Sequence, residues 1–192
     1  GILTLPDSGR HKLNIADMKT SLAFMDVSDG KLLSSHALPA EMHKLSIRHM
    51  AVAASGAIVI AMQYQGASQD RLPLVCRYRD GQLHLMSAPD EITVQMKNYC
   101  GSVAVDSGGQ TACVTSPRGN ISTFWSVDDG EFLGSARIED GCGATAGSGT
   151  GEFLVSSGTG RLATVSQQSD FGEWLPRHNN VAWDNHISRR PE

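Results

Sequence analysis

Three side chains of the kind that bind zinc, copper(I) or iron lie at equivalent places in this sequence: His49, Cys100 and Cys142. Each precedes a glycine-containing turn by 17 to 19 residues. Imidazole and thiolate groups are good ligands for these metals when they converge. We therefore predict the three as metal-ligand candidates. The alternatives are that they are small packing residues beside an unrelated histidine, or that they contact a ligand without a metal.

Two arginines and the segment AWDNHI are the candidates for ligand binding. Arg48 adjoins His49 and Arg118 lies in a turn, and a guanidinium can hold a carboxylate through two parallel hydrogen bonds. The alternative role for these arginines is a salt bridge between structural units. Asn185 and His186 belong to AWDNHI, which has one aromatic and three polar side chains in four residues. We predict Arg48, His49, Arg118, Asn185 and His186 as ligand-binding residues.

The elements that position these residues follow from a phrase that recurs three times, as VSDGKLLS, YRDGQLHL and SVDDGEFLG. Its Asp-Gly pairs begin at Asp29, Asp80 and Asp129, so the separations are 51 and 49 residues. Asp-Gly between apolar runs favours a hairpin, because a type I′ turn needs positive φ at both central residues. Each phrase is therefore predicted to be a β-hairpin.

Two further small-residue turns follow each Asp-Gly pair, so three turns separate four short strands in every period. These turns are Ser55-Gly56, Gln65-Gly66, Ser107-Gly108-Gly109, Arg118-Gly119, Gly149-Thr150-Gly151 and Thr159-Gly160. Four antiparallel strands in about 40 to 50 residues are typical of a β-propeller blade, whereas a β-sandwich, the alternative, predicts no such period. The predicted fold class is all-β, with about three propeller-type blades in repeats 20–66, 67–119 and 120–168 and a C-terminal tail over 169–192.

One segment departs from the strand pattern. Residues 89–99, PDEITVQMKNY, begin with Pro and two acids, and their apolar residues recur at helical spacing, which predicts a short helix leading to the next inner strand. Three blades are fewer than the roughly four to eight of closed propellers, so strand edges would stay unpaired. We expect either a fragment of a longer propeller or self-association through these open edges.

The composition argues against several classes of partner. The 192 residues have a formal charge of −4, and their 16 Lys and Arg residues are scattered, which gives no electrostatic footprint for nucleic acid. The longest apolar stretch, residues 51–62, is too short to span a membrane as a helix and is predicted to form two strands and a turn. The four cysteines are spaced neither as paired zinc motifs nor as a disulfide scaffold, which favours buried free thiols.

Several stretches together resemble a bacterial protein family. They are GILTLPDSGRHKLNI at the start, LSIRHMAVA, NYCGSVAVD and TSPRGN within the chain, and AWDNHI near its end. They are similar to the C-terminal half of domain-of-unknown-function family 1513. The resemblance implies a seven-bladed propeller, a full protein roughly twice this length, and export to the periplasm by the twin-arginine pathway, with the signal sequence lying outside this chain. The genes beside family members, for imelysin-like lipoproteins and a dihaem-type oxidoreductase, imply a link with iron uptake.

These observations lead to one functional hypothesis and one alternative. We expect a non-catalytic periplasmic module that binds a protein or a small-molecule ligand across the propeller face and is linked to iron uptake. The alternative is a metal-binding or redox enzyme that uses the channel residues His49, Cys100 and Cys142. The chain has no GxSxG, HExxH or GxxxxGK motif, so no catalytic residue is predicted and the cofactor is left open.

Overall fold

The computed structural model, which describes residues 2–5, 7, 9, 11–177 and 180–188, consists almost entirely of antiparallel β-sheet. A two-stranded sheet, here called the half-blade, contains β1 (Ser21–Met25) and β2 (Leu32–Ala37). Blade 1 contains β3 (Leu45–Val52), β4 (Ile58–Tyr64), β5 (Val75–Arg79) and β6 (Gln82–Met86). Blade 2 contains β7 (Ser102–Val105), β8 (Thr111–Ser116), β9 (Ile121–Ser126) and β10 (Phe132–Arg137). Blade 3 contains β11 (Gly141–Ala146), β12 (Glu152–Ser157), β13 (Leu162–Ser166) and β14 (Glu173–Trp174).

The sheets follow one another as the blades of a propeller-like fold. Within each blade the strands pair in chain order, and the first strands of neighbouring blades contact each other, so β3, β7 and β11 are the inner strands. Helix α1 (Asp90–Gln95) carries the chain from β6 at the outside of blade 1 to β7. It starts directly after Pro89 and has two acids in its first turn, both of which favour a helix start. The predicted all-β blades and the helix predicted within 89–99 are confirmed.

The recurring Asp-Gly phrases form three hairpins, but only one has the predicted turn type. Asp80 (φ 51°) and Gly81 (φ 81°) both have positive φ, as a type I′ turn requires. In the β1–β2 and β9–β10 loops only the glycine, Gly30 or Gly130, has positive φ. Its N–H donates to the carbonyl oxygen four residues earlier, so these loops are longer than the two-residue turn. The type I′ prediction is therefore wrong at these two hairpins, because loop length sets the turn type.

Blade boundaries and repeat boundaries are out of phase. In blades 1 and 2 the Asp-Gly hairpin joins the third strand to the fourth, so it closes a blade. Repeat 20–66 spans the half-blade and the first two strands of blade 1, and repeats 67–119 and 120–168 also span parts of two blades. The tail 169–192 contributes the short strand β14 to blade 3. Its residues 178–179 and 189–192 lie outside the described part of the chain.

Helix is scarce in this fold. Besides α1 there are short 3₁₀ turns at Ala40–Met42 and Pro117–Gly119. Among the described residues no helix has the length and apolarity needed to cross a bilayer. The apolar stretch 51–62 forms the end of β3, a turn and most of β4, as predicted.

The hydrophobic core lies between the blades. Strand β4 is buried along 58–62, which explains why its sequence is a continuous apolar run instead of an alternating one. Between blades 2 and 3 the rings of Phe124 and Phe153 are fully enclosed, with centroids 5.9 Å apart. Burial of such aromatic side chains is a main source of stability in a small core.

A buried carboxylate also joins blades 2 and 3. Asp106, directly after β7, is only 5% exposed. Its Oδ1 accepts the N–H groups of Gln110 and Thr111 in its own blade, at 2.9 Å each. Its Oδ2 accepts the N–H of Gly151 in blade 3, also at 2.9 Å. The side chain therefore satisfies three backbone donors and connects the two sheets.

Candidate functional site

One cavity of about 590 Å³ brings together all five residues predicted to bind ligand. Strand β3 of blade 1 and the turn after β8 in blade 2 form one part of its wall, and segments near the two ends of the described chain form the rest. The polar side chains used below line it: Lys12, Arg48, His49, Gln63, Tyr99, Arg118, Asn185 and His186. A cavity of this size suits a small molecule.

Arg48 enters the cavity wall from a bulge in β3. The register against β4 pairs Ile47 with Met62 and His49 with Ala61, so Arg48 has no opposing residue. Bulges bend a strand and re-aim a side chain, and they are common beside binding sites. The bulge accounts for two consecutive residues, Arg48 and His49, lining the same cavity although neighbours in a regular strand point to opposite faces.

Arg118 is held over an aromatic ring. Its guanidinium carbon is 4.2 Å from the ring centroid of Tyr99, which is a cation–π contact. The turn that carries it, Pro117–Gly119, lies so close to the end of α1 that a Cβ at Gly119 would be 2.2 Å from the carbonyl oxygen of Gln95. A guanidinium whose face is stacked on a ring keeps its N–H groups available to a ligand that lies in the guanidinium plane.

Two histidines from distant parts of the chain meet in the cavity. The rings of His49 and His186 have centroids 5.3 Å apart and planes inclined by 58°. Burial, the nearby His186 and the Arg48 guanidinium together lower the pKa of His49 below its usual value. Each of these effects disfavours the charged imidazolium. At neutral pH His49 is therefore a neutral ring, in which one nitrogen donates a hydrogen bond and the other accepts one.

A third cation lies beside the two arginines. Partial burial and the positive charges of Arg48 and Arg118 lower the pKa of Lys12. Its ammonium donates a hydrogen bond to the side-chain oxygen of Gln65. Lys12 was not predicted from the sequence, although it belongs to the opening stretch that carried the family resemblance.

The cavity has an excess of positive charge. No Asp or Glu is among its described lining residues, and none of the ion pairs found in the described chain involves Lys12, Arg48 or Arg118. The alternative role for the two arginines, a salt bridge between blades, therefore has no acidic partner in that part of the structure. Like charges that repel each other without a protein counter-charge form a place where an anion is stabilised.

The predicted metal ligands are not brought together. Over the described residues, no three His, Cys, Asp or Glu side chains form a group that could hold a metal ion. The Cys100 thiol is fully buried, donates to the carbonyl oxygen of Leu74, and has a pKa raised to about 12 by burial. The Cys142 thiol donates to the carbonyl oxygen of Asp140, and burial raises its pKa to about 11. Both environments favour the protonated thiol and not the thiolate that binds metals.

Tyr99 and Gln63 were also missed in the sequence, and both complete the cavity wall. They pair through an isolated β-bridge, and the Gln63 amide donates to the carbonyl oxygen of Cys100 at 3.1 Å. Tyr99 could have been found from the sequence, because it directly precedes Cys100, close to the start of the inner strand β7. The residue that faces the cavity there is thus the tyrosine and not the cysteine.

Comparison with known proteins places the whole chain in one family. The family model described as "Protein of unknown function (DUF1513)" matches residues 1–190. The chain belongs to the DUF1513 family. No curated protein matches the DUF1513 chain in sequence.

Solved structures with a similar fold give the DUF1513 chain its architectural context. A chain of hydrazine synthase from Kuenenia stuttgartiensis matches it with a TM-score of 0.54 and 13% identity. The match covers 79% of this chain and 41% of the hydrazine synthase chain, so the DUF1513 chain spans less than half of that neighbour's length. At this identity the likeness shows the propeller-like fold alone.

Proposed function

We propose that this chain is a non-catalytic binding module that holds a small anionic ligand in the cavity between blades 1 and 2. The observation that carries the proposal is the convergence of Lys12, Arg48 and Arg118 on one cavity whose described lining residues include no carboxylate. The ligand would carry at least two negative charges, as a dicarboxylate, a tricarboxylate or a phosphate does, because three cations exceed what a single carboxylate can neutralise.

The chemistry of the remaining wall supports binding of a small polar molecule. Gln63 and Asn185 offer amide donors and acceptors, and Tyr99 and the two imidazoles add flat surfaces. The stacked Arg118 and the bulged Arg48 approach from different blades, so a ligand with separated acidic groups could contact both guanidiniums. Such a ligand would also relieve the repulsion that lowers the pKa of Lys12.

The biological setting of the module stays a prediction. A periplasmic location and a link with iron uptake rest on the family resemblance, and a protein partner rests on the repeated blade scaffold without catalytic motifs. The alternative, a metal or redox enzyme that uses His49, Cys100 and Cys142, has no supporting contact, since both thiols are buried and hydrogen-bonded to backbone carbonyls.

The proposal is tested by isothermal titration calorimetry with citrate, succinate, acetate and inorganic phosphate as probes. We expect citrate or phosphate to bind more tightly than acetate, and Arg48→Gln or Arg118→Gln to weaken that binding about tenfold to hundredfold, the range for a charged hydrogen bond. Arg71→Gln is the matched control, because Arg71 is an exposed arginine paired with Asp90 and is not part of the cavity wall. Equal affinities in the three variants, or no binding of any probe by the wild type, would contradict the proposal.

A further inference from the structure

The segment 184–188 spans the distance between blade 3 and blade 1. On the blade 3 side, the hydroxyl of Ser156 in β12 donates to the carbonyl oxygen of Asp184 at 3.1 Å. On the blade 1 side, the ring of His186 lies 5.3 Å from the ring of His49 in β3. The segment therefore places two ligand-binding candidates, Asn185 and His186, opposite an inner strand that is far away in sequence.

The segment packs against Gly143 in β11, a glycine whose φ is not positive. A Cβ on Gly143 would lie 3.0 Å from Cγ2 of Ile187, 3.1 Å from the backbone nitrogen of Ile187, and 2.9 Å from the Ser156 hydroxyl oxygen. These distances are shorter than ordinary van der Waals contacts, so an added methyl group would push both the Ser156 hydroxyl and Ile187 away from Gly143. Gly143 is thus selected by the close approach of another chain segment and not by its own backbone conformation.

Gly143 and Ser156 also act on each other. The Gly143 N–H donates to the Ser156 hydroxyl oxygen at 3.0 Å, which leaves the hydroxyl proton for Asp184. A register shift in the β11–β12 pairing between Gly141 and Ala144 makes room for this side-chain bond in place of a regular ladder bond. One hydroxyl therefore links β11, β12 and the segment 184–188.

We propose that Gly143 and Ser156 are positioning residues of the ligand cavity, which hold segment 184–188 so that Asn185 and His186 complete its wall against His49. This inference rests on the proposed function for its consequence, ligand affinity, but its geometric part is independent of any ligand. Neither residue touches the cavity itself, so their effect passes through the segment.

The pKa of His49 depends on whether segment 184–188 is in place. The charged and titratable groups that face His49 are Arg48 on its own strand and His186 on the segment, with Lys12 beside Arg48. Displacing the segment would remove His186 and expose the ring, and both changes raise the pKa of His49 towards its usual value. A purely structural role in blade 3 would leave this pKa unchanged.

The experiment compares Gly143→Ala, Ser156→Ala and the control Gly149→Ala by NMR titration of the His49 ring proton. Gly149 lies in the turn between β11 and β12, and a Cβ there meets only Glu152 at 3.6 Å or more, so this variant adds the same methyl group without a clash. We expect the pKa of His49 to rise in the first two variants and to match the wild type in Gly149→Ala. Adding Ile187→Ala to Gly143→Ala removes the clash with Cγ2 of Ile187 and should restore part of the wild-type pKa.

Calorimetry with citrate on the same variants separates this inference from the proposed function. Gly143→Ala and Ser156→Ala should bind citrate about threefold to tenfold more weakly than Gly149→Ala, the range for one hydrogen bond. An unchanged His49 pKa in both Gly143→Ala and Ser156→Ala overturns the positioning role. A raised pKa in a protein whose wild type binds no anion keeps the positioning role and overturns the proposed function.

Discussion

Replacing Asp106 by Asn is expected to destabilise the contact between blades 2 and 3 strongly for so small a change. The carboxylate accepts three backbone N–H groups at 2.9 Å, two in its own blade and one from Gly151. An amide keeps one acceptor oxygen and turns an N–H₂ group towards a backbone donor on the other side. Losing one hydrogen bond to a charged group, worth about 1.5–3 kcal/mol, and weakening two others gives an expected loss of about 2–4 kcal/mol.

Urea denaturation followed by tryptophan fluorescence measures this loss, because Trp125 is buried in blade 2. Asp129→Asn is the matched control, since Asp129 is an exposed turn carboxylate that accepts the N–H of Glu131 at 3.0 Å. We expect the control to change the free energy of unfolding by less than about 1 kcal/mol. If Asp106→Asn and Asp129→Asn are equally stable, the account of Asp106 as an interblade connection is refuted.

Four further outcomes follow from the structure. Cys100 and Cys113 are fully buried with pKa values raised to about 12, so in the native protein at pH 8 a maleimide should label them only as fast as the chain unfolds, and immediate labelling would contradict this. Gly81→Ala should cost about 1–2 kcal/mol in denaturation, because φ is 81° there, and an unchanged midpoint would count against the turn geometry. The pKa of His49 is lower in the folded protein than in the unfolded chain, so the unfolded chain binds a proton at this ring more readily. The free energy of unfolding should therefore decrease as pH falls through about 6.5, and should decrease less in His49→Gln. The half-blade edge of β1 pairs with no strand other than β2 in the described chain, so light scattering should show self-association, whereas a monodisperse monomer would exclude it.

The blades were predictable from the sequence because the turns that separate their strands are set by residues that are adjacent in the chain. Small-residue turns at fixed spacing mark where strands end, and turns such as Ser55-Gly56 and Gln65-Gly66 do separate consecutive strands of blade 1. The Asp-Gly hairpins of blades 1 and 2 lie at the outer end of their blades, as the sequence predicted. The predicted repeat bounds 20–66, 67–119 and 120–168 do not coincide with the blades, because the strands that form one sheet are set by contacts between distant residues.

The candidate site was predictable in part, for a related reason. Positions before the turn glycines do lie near the inner strands, and this identified His49 and the neighbouring Arg48. The same spacing argument failed for Cys100. Just before β7 it is Tyr99 that faces the cavity, whereas the Cys100 thiol is buried in the core. Side-chain direction at a strand entrance depends on one residue of register, which spacing alone does not fix.

The central claim, that the cavity binds an anion through Arg48 and Arg118, is tested most directly by a crystal structure of the protein grown with millimolar selenate. Selenium scatters anomalously, so the oxyanion can be located without ambiguity. The account predicts an anomalous peak inside the cavity, within hydrogen-bond distance of both guanidiniums, that disappears in the Arg48→Gln, Arg118→Gln double variant. An empty cavity beside selenate bound elsewhere on the surface, or a peak that persists in the double variant, would contradict it.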